Sequence, residues 1–354
     1  MKKIYIILSF LFLLNINLFS QDDFFISTSK IGGYGEVHYN YEKPENGKSK
    51  NVLDFHRFVL FYSHAWNEKW SLKAEVELEH NLVAADDGEL ELEQAYVNYH
   101  YANWLGFKAG VILVSSGLIN EFHEPPLFLS VERPDYHNKI IPTTWFGNGI
   151  SVYGNYSGFN YSLNIMEGLL ADKFSASSGI RNGRQKGFKS NADNLLYNFS
   201  LDYSKISGLK LGASLVYNNS TGEIENNAVT LLEGHFSYQK NGLVLLGEFA
   251  NINYSNGEIK KSNGFYFDLG YDIGRLFEIP TQVIPFGRFT NYNTAAEVES
   301  VSLNDNDFKT SKWMFGLAVK PIDEVVIKID YSQRTFGGND EKTDLINAGL
   351  GYMF

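Results

Sequence analysis

From Gly33 to the C-terminus the chain is written in short runs that alternate apolar and polar residues with a period of two. That period puts successive side chains on opposite faces of an extended strand. In the last run, Ile346, Ala348, Leu350, Tyr352 and Phe354 share one face, and Leu345, Asn347, Gly349, Gly351 and Met353 share the other. Around 323–332, Val325, Ile327, Ile329 and Tyr331 oppose Glu324, Lys328, Asp330 and Ser332. Around 265–271, Phe265, Phe267, Leu269 and Tyr271 oppose Gly264, Tyr266, Asp268 and Gly270. Sixteen such segments are predicted: 33–41, 52–63, 70–80, 89–101, 104–113, 146–156, 158–167, 194–204, 209–217, 228–239, 242–253, 263–272, 281–291, 311–320, 323–332 and 343–354. Each has about the 9–11 residues that a tilted strand needs to cross a bilayer.

The connections alternate too. Short links at 64–69, 102–103, Ser157, 205–208, 240–241, 273–280 and 321–322 are interleaved with longer polar ones. An apolar outer face, a polar inner face and alternating turn lengths are the pattern of an antiparallel barrel in a membrane. The expected fold is therefore all-β, a transmembrane antiparallel β-barrel of about 16 strands. The segment 89–101 is irregular: its polar face moves from Glu89, Glu91 and Glu93 to Gln94, Asn98 and His100. A β-bulge near Gln94–Ala95 accounts for this, and so does a Glu89–Glu93 stretch standing above the membrane; the second reading is preferred.

Residues 114–145 do not alternate. They form the third of the long connections, with four prolines and an apolar patch at Leu127, Phe128 and Leu129. A loop this long inside a compact fold usually has a function. It is expected to fold into the barrel and narrow the pore, its patch packed on the inner wall. The predicted constriction residues are Glu121, His123, Glu124, Glu132, Arg133, Asp135, His137 and Lys139.

Composition sharpens the picture. Residues 1–20, with Lys2 and Lys3 before a short apolar run and Ser20 at its end, read as a cleaved signal peptide. Residues 21–354 are then the barrel, with 334 residues, and loss of Lys2 and Lys3 moves the formal net charge from −11 to −13. So acidic a chain excludes nucleic acid as a partner. There is no cysteine, hence no disulfide and no thiolate metal site. No later stretch is long and apolar enough for a membrane helix.

Alternation assigns Lys73, Glu75, Glu77, Glu79, Lys108, Asp268, Arg288, Lys328 and Asp330 to the lumen lining. It also places Glu36, Asp202, Glu233, Glu248, Asp272, Lys210, Lys312 and Lys320 there, an excess of acids that implies weak cation preference or little selectivity. Glu75, Glu77 and Glu79 share one strand face, but one strand offers too few converging oxygens for Ca²⁺, so they read as solvated wall. His123 and His137 match no metal-ligand spacing and read as ordinary loop histidines. Arg181, Arg184, Lys186 and Lys189 form a basic run in the fourth long loop, either solvated or facing anionic lipopolysaccharide. No catalytic motif is found; Gly154–Gly158 places its serine one position late for a nucleophile elbow. Enzymatic activity, cofactors and metals are not expected.

The first strand GGYGEVHYN and a last strand ending in Tyr352 and the terminal Phe354 resemble Gram-negative outer-membrane porins. Glu132-Arg133-Pro134, Ile141-Pro142-Thr143-Thr144-Trp145 and Pro285-Phe286-Gly287-Arg288-Phe289 resemble the phosphate-selective porin O/P type. The resemblance implies a sixteen-stranded homotrimeric barrel with loop three in the lumen. It also implies that Tyr352 and Phe354 signal to the barrel assembly machinery, and that the partners are outer-membrane lipid and lipopolysaccharide. A phosphate-selective pore needs a basic ladder, and this chain is acidic. The sequence leaves open a passive porin for small hydrophilic solutes or ions, an anion or phosphate porin, and a non-channel surface barrel acting as adhesin or receptor.

Overall fold

The computed structural model describes residues 27–83, 88–299 and 303–354, so the signal-peptide segment 1–20 lies outside the described residues. Sixteen antiparallel strands follow one another around a closed barrel. They are β1 (Thr28–Pro44), β2 (Lys50–Ala65), β3 (Trp70–Glu79), β4 (Leu90–Ala102), β5 (Leu105–Leu113), β6 (Phe146–Tyr156), β7 (Phe159–Met166) and β8 (Leu196–Tyr203). The second half comprises β9 (Leu209–Ser220), β10 (Asn227–Lys240), β11 (Leu243–Tyr254), β12 (Ile259–Tyr271), β13 (Gln282–Val298), β14 (Lys309–Ile322), β15 (Val325–Phe336) and β16 (Lys342–Met353). Every predicted segment falls on one of these strands. Some strands run further than predicted, β13 as far as Val298, because a hairpin can continue beyond the apolar band where alternation is no longer enforced.

Closure joins β1 to β16, with Tyr34 opposite Met353 and Glu36 opposite Gly351. The terminal residue completes the seam: Gly33 and Phe354 exchange both backbone hydrogen bonds, each 2.9 Å. A closed ladder leaves no edge, so every strand can bond its backbone to its neighbours without water.

The outer face carries Leu60, Val97, Phe107, Leu163, Phe199, Leu215, Phe249, Phe267, Phe315, Ile329 and Leu350, all exposed. Near the short turns stand exposed Trp66, Trp70, Tyr101, Trp104, Tyr156 and Phe159, the aromatic girdle expected where a bilayer meets water.

Two bulges modify the inner face. Gln94 pairs with Glu75 and Leu92 with Val76, so Glu93 is the extra residue. The preferred reading of 89–101 is therefore corrected: the phase change is a bulge, which turns Glu93 and Gln94 inward together. In β2, Glu36 pairs with Arg57 but His38 pairs with Asp54, and the extra residue again turns neighbours His56 and Arg57 to the same side.

Glycines on β16 make room for residues 114–145. A Cβ on Gly351 would lie 2.3 Å from the Pro125 Cβ, and one on Gly349 would lie 2.9 Å from a methyl of Val131. Gly351→Val is expected to keep a foldable barrel but lose about 1–3 kcal/mol to overpacking. Gly287→Ala, where the nearest atom is 3.6 Å away, is expected to match the wild type. The temperature at which the compact folded band disappears on cold-to-hot gel electrophoresis measures both.

Candidate functional site

The neck of loop three is tied by one amide. The Asn120 Nδ2 donates to the Val114 carbonyl at 2.7 Å, and the Trp145 N–H donates to the Asn120 Oδ1 at 2.7 Å. From that neck the loop makes contacts around much of the inner wall. The Leu118 N–H donates to Glu248 of β11 at 3.0 Å, and His137 Nε2 lies 2.9 Å from the same Oε2. Lys312 of β14 reaches Asp135 at 3.2 Å. Arg288 of β13 donates to the Ser130 hydroxyl at 2.6 Å while gripping Asp268 through two 2.6 Å hydrogen bonds. On β15, Lys328 donates to the Ser130 carbonyl at 2.8 Å, and Asp330 accepts from the Val131 N–H at 2.8 Å. On β1, His38 Nδ1 lies 2.9 Å from Glu132, which also accepts from Asn40. Burial disfavours the charged Glu132 carboxyl, but the hydrogen bond and charge of His38 outweigh this and hold its pKa down at about 2.

Apolar packing fills the same side. Tyr136, Ile140, Ile141 and Trp145 of loop three join Leu169 and Ile180 of the next long loop in one buried cluster. Its wall partners come mostly from β8 to β13, among them Leu196, Val216, Leu231, Ile252, Tyr266 and Tyr292, with Tyr96 of β4, Ile112 of β5 and Met166 of β7 joining them. A second cluster sets Leu129 against Ile284, Phe286, Met314, Ala318 and Val326. Of the patch 127–129, Phe128 and Leu129 are buried and Leu127 is exposed.

Cavity space remains on both sides of the loop. A cavity of about 660 Å³ opens toward the short turns, lined by Lys73, Gln94, Lys108, Glu121, Tyr153, Asn164 and Asp202 among others. Lys108 lies over the rings of Tyr96 and Tyr153, 5.0 Å from each. On the long-loop side a cavity of about 370 Å³ is lined by eight carboxylates (Glu36, Glu77, Glu79, Glu89, Glu91, Glu93, Glu132 and Asp135) against Arg57, Arg133, Arg181, Arg184 and Lys186. Between the two sit Tyr34, Glu75 and His123, all buried. Burial and the nearby Arg133 work against a charged His123, yet Glu75 and Glu93 outweigh them and raise its pKa to about 9.

Several predicted lining residues are sealed. Glu75, Asp268, Arg288, Lys328 and Asp330 face inward but are buried. Loop three covers the last four, so they hold the loop and do not line an open channel. Glu75 is likewise not solvated wall. Lys73, Glu77, Glu79 and Lys108 do border cavity space. Among the constriction candidates, Glu121 borders the inner cavity and Glu132, Arg133 and Asp135 the outer one. His123 and His137 are buried, and Glu124 and Lys139 are half-buried. The basic run of loop four is largely engaged inside the protein. Arg181 donates to the Thr143 carbonyl at 2.9 Å, Arg184 donates to the Thr144 carbonyl, and Lys186 pairs with Glu89 and Glu91. Only Lys189 of the four is exposed. Sequence reasoning missed Arg57, which bridges Glu36 at 2.7 Å and Glu77 at 3.1 Å, because the β2 bulge breaks the alternation there. It also missed the inward role of Glu93, for which the phase slip in 89–101 was the available signal.

No family model matches the chain. A protein of Aquifex aeolicus, described as an uncharacterized protein, is 31% identical over 350 residues, covering 92% of this chain and 79% of its own. Among solved structures, an anion-selective porin from Comamonas acidovorans superposes with a TM-score of 0.63 at 13% identity, over 93% of this chain and 100% of that one. OmpF of Salmonella typhi, in complex with daunomycin, gives 0.62 at 14% identity, over 92% and 97%. A loop-deleted OmpT, an outer membrane protein of Vibrio cholerae, gives 0.59 at 11% identity, over 93% and 99%. At these identities the likeness to the solved structures is one of fold.

If Arg288 anchors loop three, Asp268→Ala strands a buried guanidinium and is expected to destabilise by about 3–5 kcal/mol. Glu299→Ala, at the exposed pair with Lys260, is expected to cost less than about 1 kcal/mol. Urea unfolding followed by tryptophan fluorescence compares the two.

Proposed function

We propose that this chain, which belongs to the same family as the Aquifex aeolicus protein, is an outer-membrane porin for passive diffusion of small hydrophilic solutes or ions. The observation that carries this is the divided lumen: a sixteen-strand barrel with polar cavities on both sides of a loop folded against its inner wall. A barrel of this strand number encloses more space than its own side chains fill, so it leaves room for water and solute. Residues 1–20 fit a cleaved export signal, and the apolar outer band with its aromatic girdle fits the outer membrane. The Tyr352–Phe354 end fits recognition by the assembly machinery, and a homotrimer in lipid and lipopolysaccharide is the state that the porin resemblance implies.

Loop three supplies the constriction in this reading. Acids of β3 and β4 face arginines of loops three and four across the outer cavity, so a solute crosses a transverse field that sorts by charge and size. Eight carboxylates against five Lys and Arg side chains favour weak cation preference; the inner cavity, with Lys73 and Lys108 against Glu121 and Asp202, is balanced. The finer resemblance to the phosphate-selective O/P type predicts the opposite sign.

Planar-bilayer recording separates the readings. Ohmic steps with a small cation-selective reversal potential in a salt gradient are expected. The triple variant E77Q/E79Q/E91Q is expected to move that potential toward zero or to anion preference. An anion-selective wild type would support the O/P-type alternative, and a folded barrel without current would support a surface adhesin or receptor. Arg181→Ala with Arg184→Ala, which releases loop four from the Thr143 and Thr144 carbonyls, is expected to raise conductance.

A further inference from the structure

Where loop three meets the wall between the two cavities, three ligand-type atoms converge without hydrogen-bond partners. They are Oε1 of Glu75 on β3, Oε2 of Glu93 at the β4 bulge, and Nε2 of His123 in the loop. Nε2 lies 3.4 Å from the Glu75 oxygen and 3.5 Å from the Glu93 oxygen, and the three side chains are only 2–3% exposed. Buried polar atoms nearly always find partners, so three orphans pointing at one another call for a shared one.

The second ring nitrogen sets the chemistry. His123 Nδ1 lies 3.2 Å from the Asn120 carbonyl. A carbonyl only accepts, so Nδ1 carries a proton, and Nε2 is the nitrogen left to bind a metal ion once that ion displaces the proton on it. A backbone acceptor behind a histidine is the usual outer support of a metal-bound imidazole. The other oxygen of Glu75 is held by the Gln94 amide, which leaves Oε1 as the free one. The bulge is what brings Glu93 to this point.

We propose that Glu75, Glu93 and His123 form a binding site for a first-row divalent transition-metal ion, with zinc the best fit. Ligands each about 2.0–2.1 Å from a tetrahedral zinc stand roughly 3.3–3.4 Å apart, close to the spacing seen. An imidazole with two carboxylates suits zinc, whereas Ca²⁺ and Mg²⁺ favour all-oxygen shells. Two carboxylates and a neutral imidazole balance a 2+ charge, as a buried site requires. Glu93 borders the outer cavity, which gives the ion an approach and a place for a water as fourth ligand. The competing account is an imidazolium bridging both carboxylates. Charge-assisted N–H···O contacts are normally about 2.7–2.9 Å, shorter than both distances here. The nearby His38, His56 and Glu132 group is a weaker candidate, because both nitrogens of each histidine already have partners within 3.3 Å. An ion at Glu75, Glu93 and His123 fastens loop three to β3 and β4, whether or not the barrel conducts.

The test uses the full folded barrel in detergent, stripped with EDTA and titrated with ZnCl₂ by calorimetry. One ion per chain is expected, with affinity at least about ten-fold weaker in His123→Ala and in Glu93→Gln, and unchanged in His56→Ala. Co²⁺ is expected to give the intense visible absorption of a low-coordinate site in the wild type and in His56→Ala, but not in the His123 and Glu93 variants. Folding of each variant is checked by heat-modifiable gel mobility, and His123→Gln substitutes for an alanine variant that does not fold. Zinc uptake that is absent from the wild type, or equally tight in the folded His123 and Glu93 variants, overturns the proposal in favour of the imidazolium bridge. Uptake lost only in His56→Ala overturns it in favour of the neighbouring histidines.

Discussion

A sixteen-strand barrel must fill or wet the space it encloses, and most of what is distinctive in this chain answers that constraint. The wall is generic: backbone groups pair with the next strand and apolar side chains face outward. The interior is where the sequence makes choices. On the arc from β8 to β13 it sets apolar residues inward and covers them with loops three and four. On the arc from β2 to β5 it sets carboxylates, lysines and Arg57 inward and leaves cavity space. The lumen is thus one part core and one part polar cavity, and loop three is the boundary.

That boundary depends on buried charge. The pairs Asp268–Arg288 and Glu248–His137, and the separate charges Lys328 and Asp330, would be costly in isolation. Each is satisfied by loop backbone or hydroxyl groups: the Ser130 hydroxyl and carbonyl, the Val131 N–H and the Leu118 N–H. The loop and the wall need each other, since removing the loop would leave these ions in a half-dry lumen without their partners. Apolar packing alone is tolerant of register; directed contacts to three consecutive residues, Ser130 to Glu132, are not.

Much of the fold was legible in the sequence because period-two alternation is enforced by lipid on one side and water on the other. The sixteen segments and the closed antiparallel barrel follow from that. The interior was less legible, for two physical reasons. Bulges shift phase, so Arg57 and Glu93 fall out of the alternation that would have assigned them to the lumen. Inward position also does not imply exposure: Asp330 and Lys328 alternate correctly, yet loop three covers them. Nor does a basic run announce its targets, and the Thr143 and Thr144 carbonyls that hold Arg181 and Arg184 could not be read from spacing.

This separation of direction from exposure changes how charge in such a lumen should be counted. Alternation gave ten inward acids against seven bases, a tally that treats every inward charge as equal. Asp268 pairs with Arg288, Glu248 with His137 and Lys312 with Asp135, each within 3.2 Å, while Lys328 and Asp330 are buried and bonded to loop three. In the proposed pore an ion beyond the loop would see little of them, because paired charges act as dipoles whose field falls off quickly and the rest lie behind the loop. What remains is the cluster from β1 to β4, where Glu77, Glu79, Glu91 and Glu93 crowd one side of the outer cavity and arginines of two folded loops stand against them. In the proposed pore, selectivity is then set by one short stretch of wall and the loop facing it. A few substitutions there should outweigh any number of charge changes elsewhere on the inner face.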